Sequence, residues 1–332
     1  MIHMIHGIQR IRRRGFTLIE LLTVMAIIAL LVGLLLPALA KARAKAQQTK
    51  DATQVKQIHA AWTTFSHDYN GLFPTPGIVN RLPVDDDTNL SGLDVPGRGP
   101  EDVQANNSAF MYSLCIMQNY FTPQILVAPT EPSGFVAVKD DFDWTLYRPI
   151  EDTYWDSGQY NMNDYSKPTH SLVNAYKVFS VDLQGDNGQE QGVCNTSYAH
   201  TPITGIRKVR EWRASLNSKW AAISNRGPQD GTPTGGLCSG CPPYEESITL
   251  EFHGGDKQWV GNVGFNDNHV ELIQTVFPEG LNFLDDGITE SDNLFYNDAA
   301  TNCSTGEGND IWLTLISEIS SPAGTLIIAE CD

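Results

Sequence analysis

The chain has 332 residues, 41% of them hydrophobic and 18% charged, with a formal net charge of −17. That length supports a substantial core in one or two domains. The excess of acid disfavours nucleic acid as a partner, because phosphate is held by Lys and Arg.

Charge is unevenly spread. Met1–Gly15 holds four arginines (Arg10, Arg12, Arg13 and Arg14) and no acid, so its removal would leave 18 basic against 39 acidic residues, net −21. Phe16 to Leu36 is then a run of 21 residues with a single charge, Glu20. As a helix it is about 32 Å long, close to a hydrocarbon core of roughly 30 Å. A carboxylate inside such a span costs about 2.5–3.5 kcal/mol and is a functional candidate for that reason. Two ordinary readings compete: a secretory signal cut near Ala38-Leu39-Ala40, and an uncleaved anchor. A signal core usually has about 7–15 residues, and neither reading explains Glu20. The arginines favour a cytoplasmic N-terminus, a contrast weakened by Lys41, Arg43 and Lys45 after the span.

Pro37 predicts a bend and not a stop, because strong helix formers follow it. Val55, Ile58, Trp62, Phe65 and Tyr69 recur at spacings of three and four, which puts them on one helical face. Asn70-Gly71 is a stop signal, and Pro74 and Pro76 forbid continuation. One helix, Phe16–Tyr69, is therefore expected, its first half facing lipid or other helices and its second half docked on a globular body. Leu72–Gln104 reads as loop and Ser108–Tyr120 as a short helix. Tyr147–Lys167 reads as a loop whose Tyr147, Tyr154, Trp155, Tyr160 and Tyr165 form either core or a sugar- or partner-binding surface. Strands are expected at Leu172–Leu183, Lys219–Ser224, Ser247–Phe252, Val260–Phe265, His269–Phe277 and Thr325–Ala329, with a hairpin turn at Asn266-Asp267-Asn268. The fold class is α+β, a long N-terminal transmembrane helix packed on an antiparallel sheet. The chain divides into 1–15, 16–70 (transmembrane over 16–37) and 71–332.

Arg12-Arg13-Arg14-Gly15-Phe16-Thr17-Leu18-Ile19-Glu20 and the apolar run behind it resemble the processing segment of type IV pilins and type II secretion pseudopilins. Pro37 stands where many of those helices carry a proline. The resemblance covers Arg12–Ala46, about a tenth of the chain. It implies cleavage by prepilin peptidase between Gly15 and Phe16, methylation of the Phe16 amine, and a role for Glu20 in assembly. It also implies other pilin or pseudopilin subunits as partners. The expected location is a single pass in the inner membrane, with the C-terminal domain outside the cytoplasm or on a cell-surface filament. His253–Val270 is more loosely similar to the C-terminal hairpin of large pilin-like proteins of planctomycetes and verrucomicrobia. The alternative function is a membrane-tethered adhesive or glycan-binding module that uses the pilin segment for export.

All six cysteines (Cys115, Cys194, Cys238, Cys241, Cys303 and Cys331) lie after the long helix. In an oxidising compartment they are disulfide candidates, and spacing does not choose among the pairings. His253 and His269 could meet across adjacent strands near Asp256 and Asp267, a zinc-like set; fixing turns is the plainer role for these residues. The turns Asp140–Asp143, Asp182–Glu190 and Asp285–Asp292 (with Asp182, Asp186, Asp285 and Asp286) are candidate calcium loops or simply solvated. No other cofactor is expected. No Gly-x-Ser-x-Gly elbow, His-Glu-x-x-His or phosphate loop is present, so no enzyme is expected.

Overall fold

The computed structural model describes residues 16–82, 99–147, 149, 154, 179–181, 183, 194–228, 244–255, 257–285, 288–297, 308, 310–319 and 327–329. The chain divides into two units, Met1–Ala46 and Gln47–Asp332.

One helix, α1 (Leu18–Asp68), runs through Pro37 and ends beside the predicted stop. Asn70 and Gly71 both take left-handed φ (54° and 82°), and the Gly71 N–H returns to the Ser66 carbonyl at 2.8 Å. This closes the orphan carbonyls of the last turn. Two short helices follow, α2 (Pro76–Val79) and α3 (Ser108–Met117). The Asn107 side chain accepts from the Phe110 N–H at 2.8 Å and so sets the start of α3, as an N-cap should.

The second unit is built around a four-stranded antiparallel sheet in chain order: β1 (Tyr198–His200), β2 (Ala221–Asn225), β3 (Gly261–Phe265) and β4 (Val270–Ile273). A helix of six residues, α4 (Gly205–Arg210), lies between β1 and β2. The described residues include two further antiparallel pairs, β5 (Asn282–Asp285) with β6 (Ile288–Ser291) and β7 (Ile316–Ile319) with β8 (Ile327–Ala329). The β3–β4 turn is the predicted Asn266-Asp267-Asn268, with Asn268 at φ 68°.

The predicted stripe is the docked face. Val55, Ile58, Trp62 and Phe65 are buried; the first three share a core with Tyr112 and Cys115 of α3 and with Tyr198 and Ile223 of the sheet. Trp62 stands 4.9 Å from Trp212 and 6.0 Å from Phe73, ring centre to ring centre. Gly264 permits the close approach: a Cβ there would meet Val55 Cγ1 at 2.8 Å and Ile223 Cγ2 at 2.9 Å.

Ser247–Phe252 is not a strand. Ile248–Glu251 forms a 3-10 turn, because the Ser247 hydroxyl takes the Thr249 N–H and offers the backbone a local partner. Leu172–Leu183 falls mostly outside the described residues; within it, Val181 bridges Cys194. α2 breaks the expected loop Leu72–Gln104, because Pro76 suits the first position of a helix; β1, α4, β5, β6 and β7 were not foreseen either.

Candidate functional site: the N-terminal segment and its anchorage

Every residue from Phe16 to Ala46 is exposed, including Leu18, Ile19, Leu34 and Leu36 at 60–79%. The helix they lie on is long and apolar enough to cross a membrane. An apolar surface of this size needs lipid or other helices to cover it.

Glu20 closes the first turn of that helix. Its backbone N–H donates to Thr17 Oγ1 at 3.2 Å, while its Oε2 accepts from the Thr17 N–H at 2.9 Å and from the Thr17 hydroxyl at 2.8 Å. This reciprocal pattern is a capping box, and it satisfies donors that would otherwise be orphaned. The signal was present in the sequence, since Thr17 stands three residues before Glu20 at the head of an apolar run. Gly15 lies outside the described residues, and Phe16 is 75% exposed.

Within the second unit, α1 is pinned through Asp51, a fully buried carboxylate. It accepts from the Tyr198 hydroxyl at 2.7 Å and from Asn262 Nδ2 at 2.6 Å, and its Oδ2 is 2.9 Å from His253 Nε2. Burial, and then Asp51 itself, push the Tyr198 phenol well above its ordinary range and keep it a donor. Asn262 is held in turn by its own N–H, which donates to Asn225 Oδ1 at 2.7 Å. One acid thus ties α1 to β1, β3 and the turn that carries His253. Sequence reasoning missed it, because Lys50-Asp51 looks like a solvated pair.

This corrects the zinc-like set. His253 belongs to Asp51, whereas His269 bonds Asp267 inside the hairpin turn and stacks on Phe265 at 4.3 Å. Asp256 lies outside the described residues. Three of the turn acids have partners within the fold: Asp141 pairs with Lys139, Asp143 caps the turn Trp144–Leu146, and Asp292 accepts the Ile311 N–H at 2.9 Å. Asp285 ends β5, while Asp182, Asp186 and Asp286 lie outside the described residues. Among the described residues, no group of three or more His, Cys, Asp or Glu is placed to hold a metal ion.

Cys115 and Cys194 are buried, and among the described residues they are not bonded to each other. The Cys194 thiol donates to the Thr196 carbonyl at 3.2 Å, and burial pushes the Cys115 thiol well above its usual range. Cys238, Cys241, Cys303 and Cys331 lie outside the described residues. Of the aromatic loop, Tyr147 and Tyr154 are half-buried with rings 6.3 Å apart, each packed on core residues; Trp155, Tyr160 and Tyr165 lie outside.

A serine–histidine pair that no motif signalled sits in the core. The Ser108 hydroxyl donates to His200 Nε2 at 2.7 Å, because Nδ1 of that ring must donate to the Thr201 carbonyl at 2.8 Å. The Ser108 oxygen also accepts the Ile316 N–H at 2.8 Å. Both residues have zero exposure, so no substrate carbonyl reaches the oxygen, and the pair ties α3 to β1 and β7. Burial holds the imidazole neutral, with its pKa lowered to about 4.

Residues 10–36 match the family described as the prokaryotic N-terminal methylation motif. The chain carries a prepilin-type N-terminal methylation motif. The match takes in the arginine cluster, the Gly15-Phe16 junction and Glu20, and it ends one residue before Pro37. Motif and apolar helix together point to a membrane-anchored, pilin-like precursor. No curated protein and no solved structure matches the chain.

Proposed function

We propose that the chain is a prepilin or pseudopilin subunit. Prepilin peptidase cuts it between Gly15 and Phe16, the Phe16 amine is methylated, and α1 then packs with the helices of other subunits in a type IV pilus or a secretion pseudopilus. Its role is structural and not enzymatic. Before assembly it stands as a single pass in the inner membrane with the body outside the cytoplasm.

The observation that carries this reading is a lone carboxylate, Glu20, in the uncovered and otherwise apolar run Phe16–Leu36, inside the matched motif. A mere anchor gains nothing from that charge. Cleavage would place a positive amine one turn away, so the amine of one subunit and Glu20 of the next can neutralise each other in the apolar bundle. N-terminal mass spectrometry of the membrane-associated protein tests the first step. The expected mature chain begins at methylated Phe16; a start after Ala40, or an intact Met1, overturns the reading.

A further inference from the structure

Five of the chain's 22 basic residues fall within 13 positions (Arg207, Lys208, Arg210, Arg213 and Lys219), a stretch whose only acid is Glu211. Two are committed to the fold. Arg207 is buried against Asp310, with its Nε donating to the Asp310 carbonyl at 2.9 Å, and Lys208 pairs with Glu101. Arg210, Arg213 and Lys219 are exposed and form no ion pair among the described residues. The same stretch holds Ile206, Val209 and Leu216, which are 48%, 67% and 73% exposed.

Leu216 is held in place against its own preference. Its φ is 55°, a left-handed backbone that costs a non-glycine residue stability. The turn is fixed on both sides: the Ala214 N–H donates to the Gly71 carbonyl at 2.9 Å, and Asn266 Nδ2 donates to the Glu211 carbonyl at 2.8 Å and to Ser215 Oγ at 3.0 Å. A strained backbone that presents an apolar side chain to water is the kind of outlier that points to contact elsewhere.

The same unit carries a surface of opposite charge. Phe135 and Trp144 are 39% and 45% exposed and flank exposed Asp140, Asp141 and Asp143. The one base in that stretch, Lys139, is buried and pairs with Asp141, so positions 135–144 carry three acids against one base, net −2. Trp144 is fixed by its Nε1, which donates to the Ile116 carbonyl at 3.3 Å.

We propose that the Ile206–Leu216 surface of one copy docks on the Phe135–Trp144 surface of a second copy of this chain. Each side brings exposed apolar groups in a stretch with an excess of one charge, five bases against one acid over 206–219 and three acids against one base over 135–144. Such a pairing gives register and partner choice more than raw affinity. A bilayer would suit the first surface but leave the second unexplained, and a hydrophilic polyanion would leave Ile206, Val209 and Leu216 in water. Because the two surfaces differ, the contact is head-to-tail and generates open chains when the rotation does not close. The inference rests on the reading that copies of this chain assemble, and it names the contact that their bodies make.

The test is a photo-reactive phenylalanine analogue in place of Leu216, in the full-length chain in its own membranes, with adducts mapped by peptide mass spectrometry. Adducts to residues 135–145 of a second copy are expected. They should fall roughly fivefold with Arg210→Glu/Arg213→Glu, the share of two rim charges, and should weaken with added salt. Adducts to lipid, to another protein or to another part of the chain, or no adduct at all, overturn the contact. Processing at Phe16 and filament yield are read from the same cells. Adducts without processing sink the prepilin reading and keep the contact, whereas filaments without adducts do the reverse.

Discussion

Glu20 caps the first turn of α1 through Oε2, and assembly asks the same carboxylate to meet a neighbour's amine. The two demands separate by substitution. Glutamine serves a capping box as well as glutamate does, so Glu20→Gln keeps the helix start and removes the charge. Glu20→Ala removes the charge and the bond back to the Thr17 N–H, at about 1 kcal/mol, and leaves the Thr17 hydroxyl on the backbone N–H of residue 20. Each lowers the cost of inserting the span, so both variants should enter the membrane and be cleaved. Filament yield after shearing should collapse in both. Wild-type yield from Glu20→Gln alone would reduce Glu20 to a cap. Asp51 marks the limit of reading at this scale: its partners come from positions 198, 253 and 262, and no local pattern announces a contact between residues so far apart.

At the scale of elements, what was legible followed a period or a stop. The stripe from Val55 to Phe65 has helical spacing, Asn70-Gly71 ends the helix, and Asn266-Asp267-Asn268 turns the β3–β4 hairpin. What was not legible is short: β1 is three residues with no exposed position, and β6 is four residues with Thr289, Glu290 and Ser291 all exposed, so neither offers an alternation to read. The seam between α1 and the sheet depends on a missing side chain. Gly264→Val would drive methyls into Val55 and Ile223, and overpacking of this kind costs about 1–3 kcal/mol. Thermal unfolding of the detergent-solubilised chain, followed by tryptophan fluorescence, should show a lower midpoint. Val55→Ala in the same chain should return part of the loss, since neighbours in contact do not add. Equal losses with and without Val55→Ala would mean that the strain lies elsewhere.

For the molecule as a whole, the two units answer to different surroundings. Residues 16–46 expose all their side chains, while the buried titratable groups lie in Gln47–Asp332. Two of those are histidines held neutral by burial. His200 has its pKa lowered to about 4, and His59 is lowered by burial against weaker opposing help from Asn266, Asn268 and Asp267. In the unfolded chain both would take up a proton near pH 6.5. Between pH 6.5 and about 4 the unfolded state therefore binds more protons than the folded one, and stability falls as acid is added. The contribution is fully present above pH 6.5. For His200 alone it is about 3 kcal/mol, lost progressively down to pH 4. The unfolding midpoint of the solubilised chain should therefore drop steadily from pH 6.5 to 5, a range above most carboxylate titration. His200→Asn should start lower at pH 7.5, having lost the bonds to Ser108 and Thr201, and should show a shallower slope with His59 still in place. An unchanged slope in that variant would take His200 out of the account, and a wild-type midpoint flat from pH 6.5 to 5 would mean that neither imidazole stays neutral in the core.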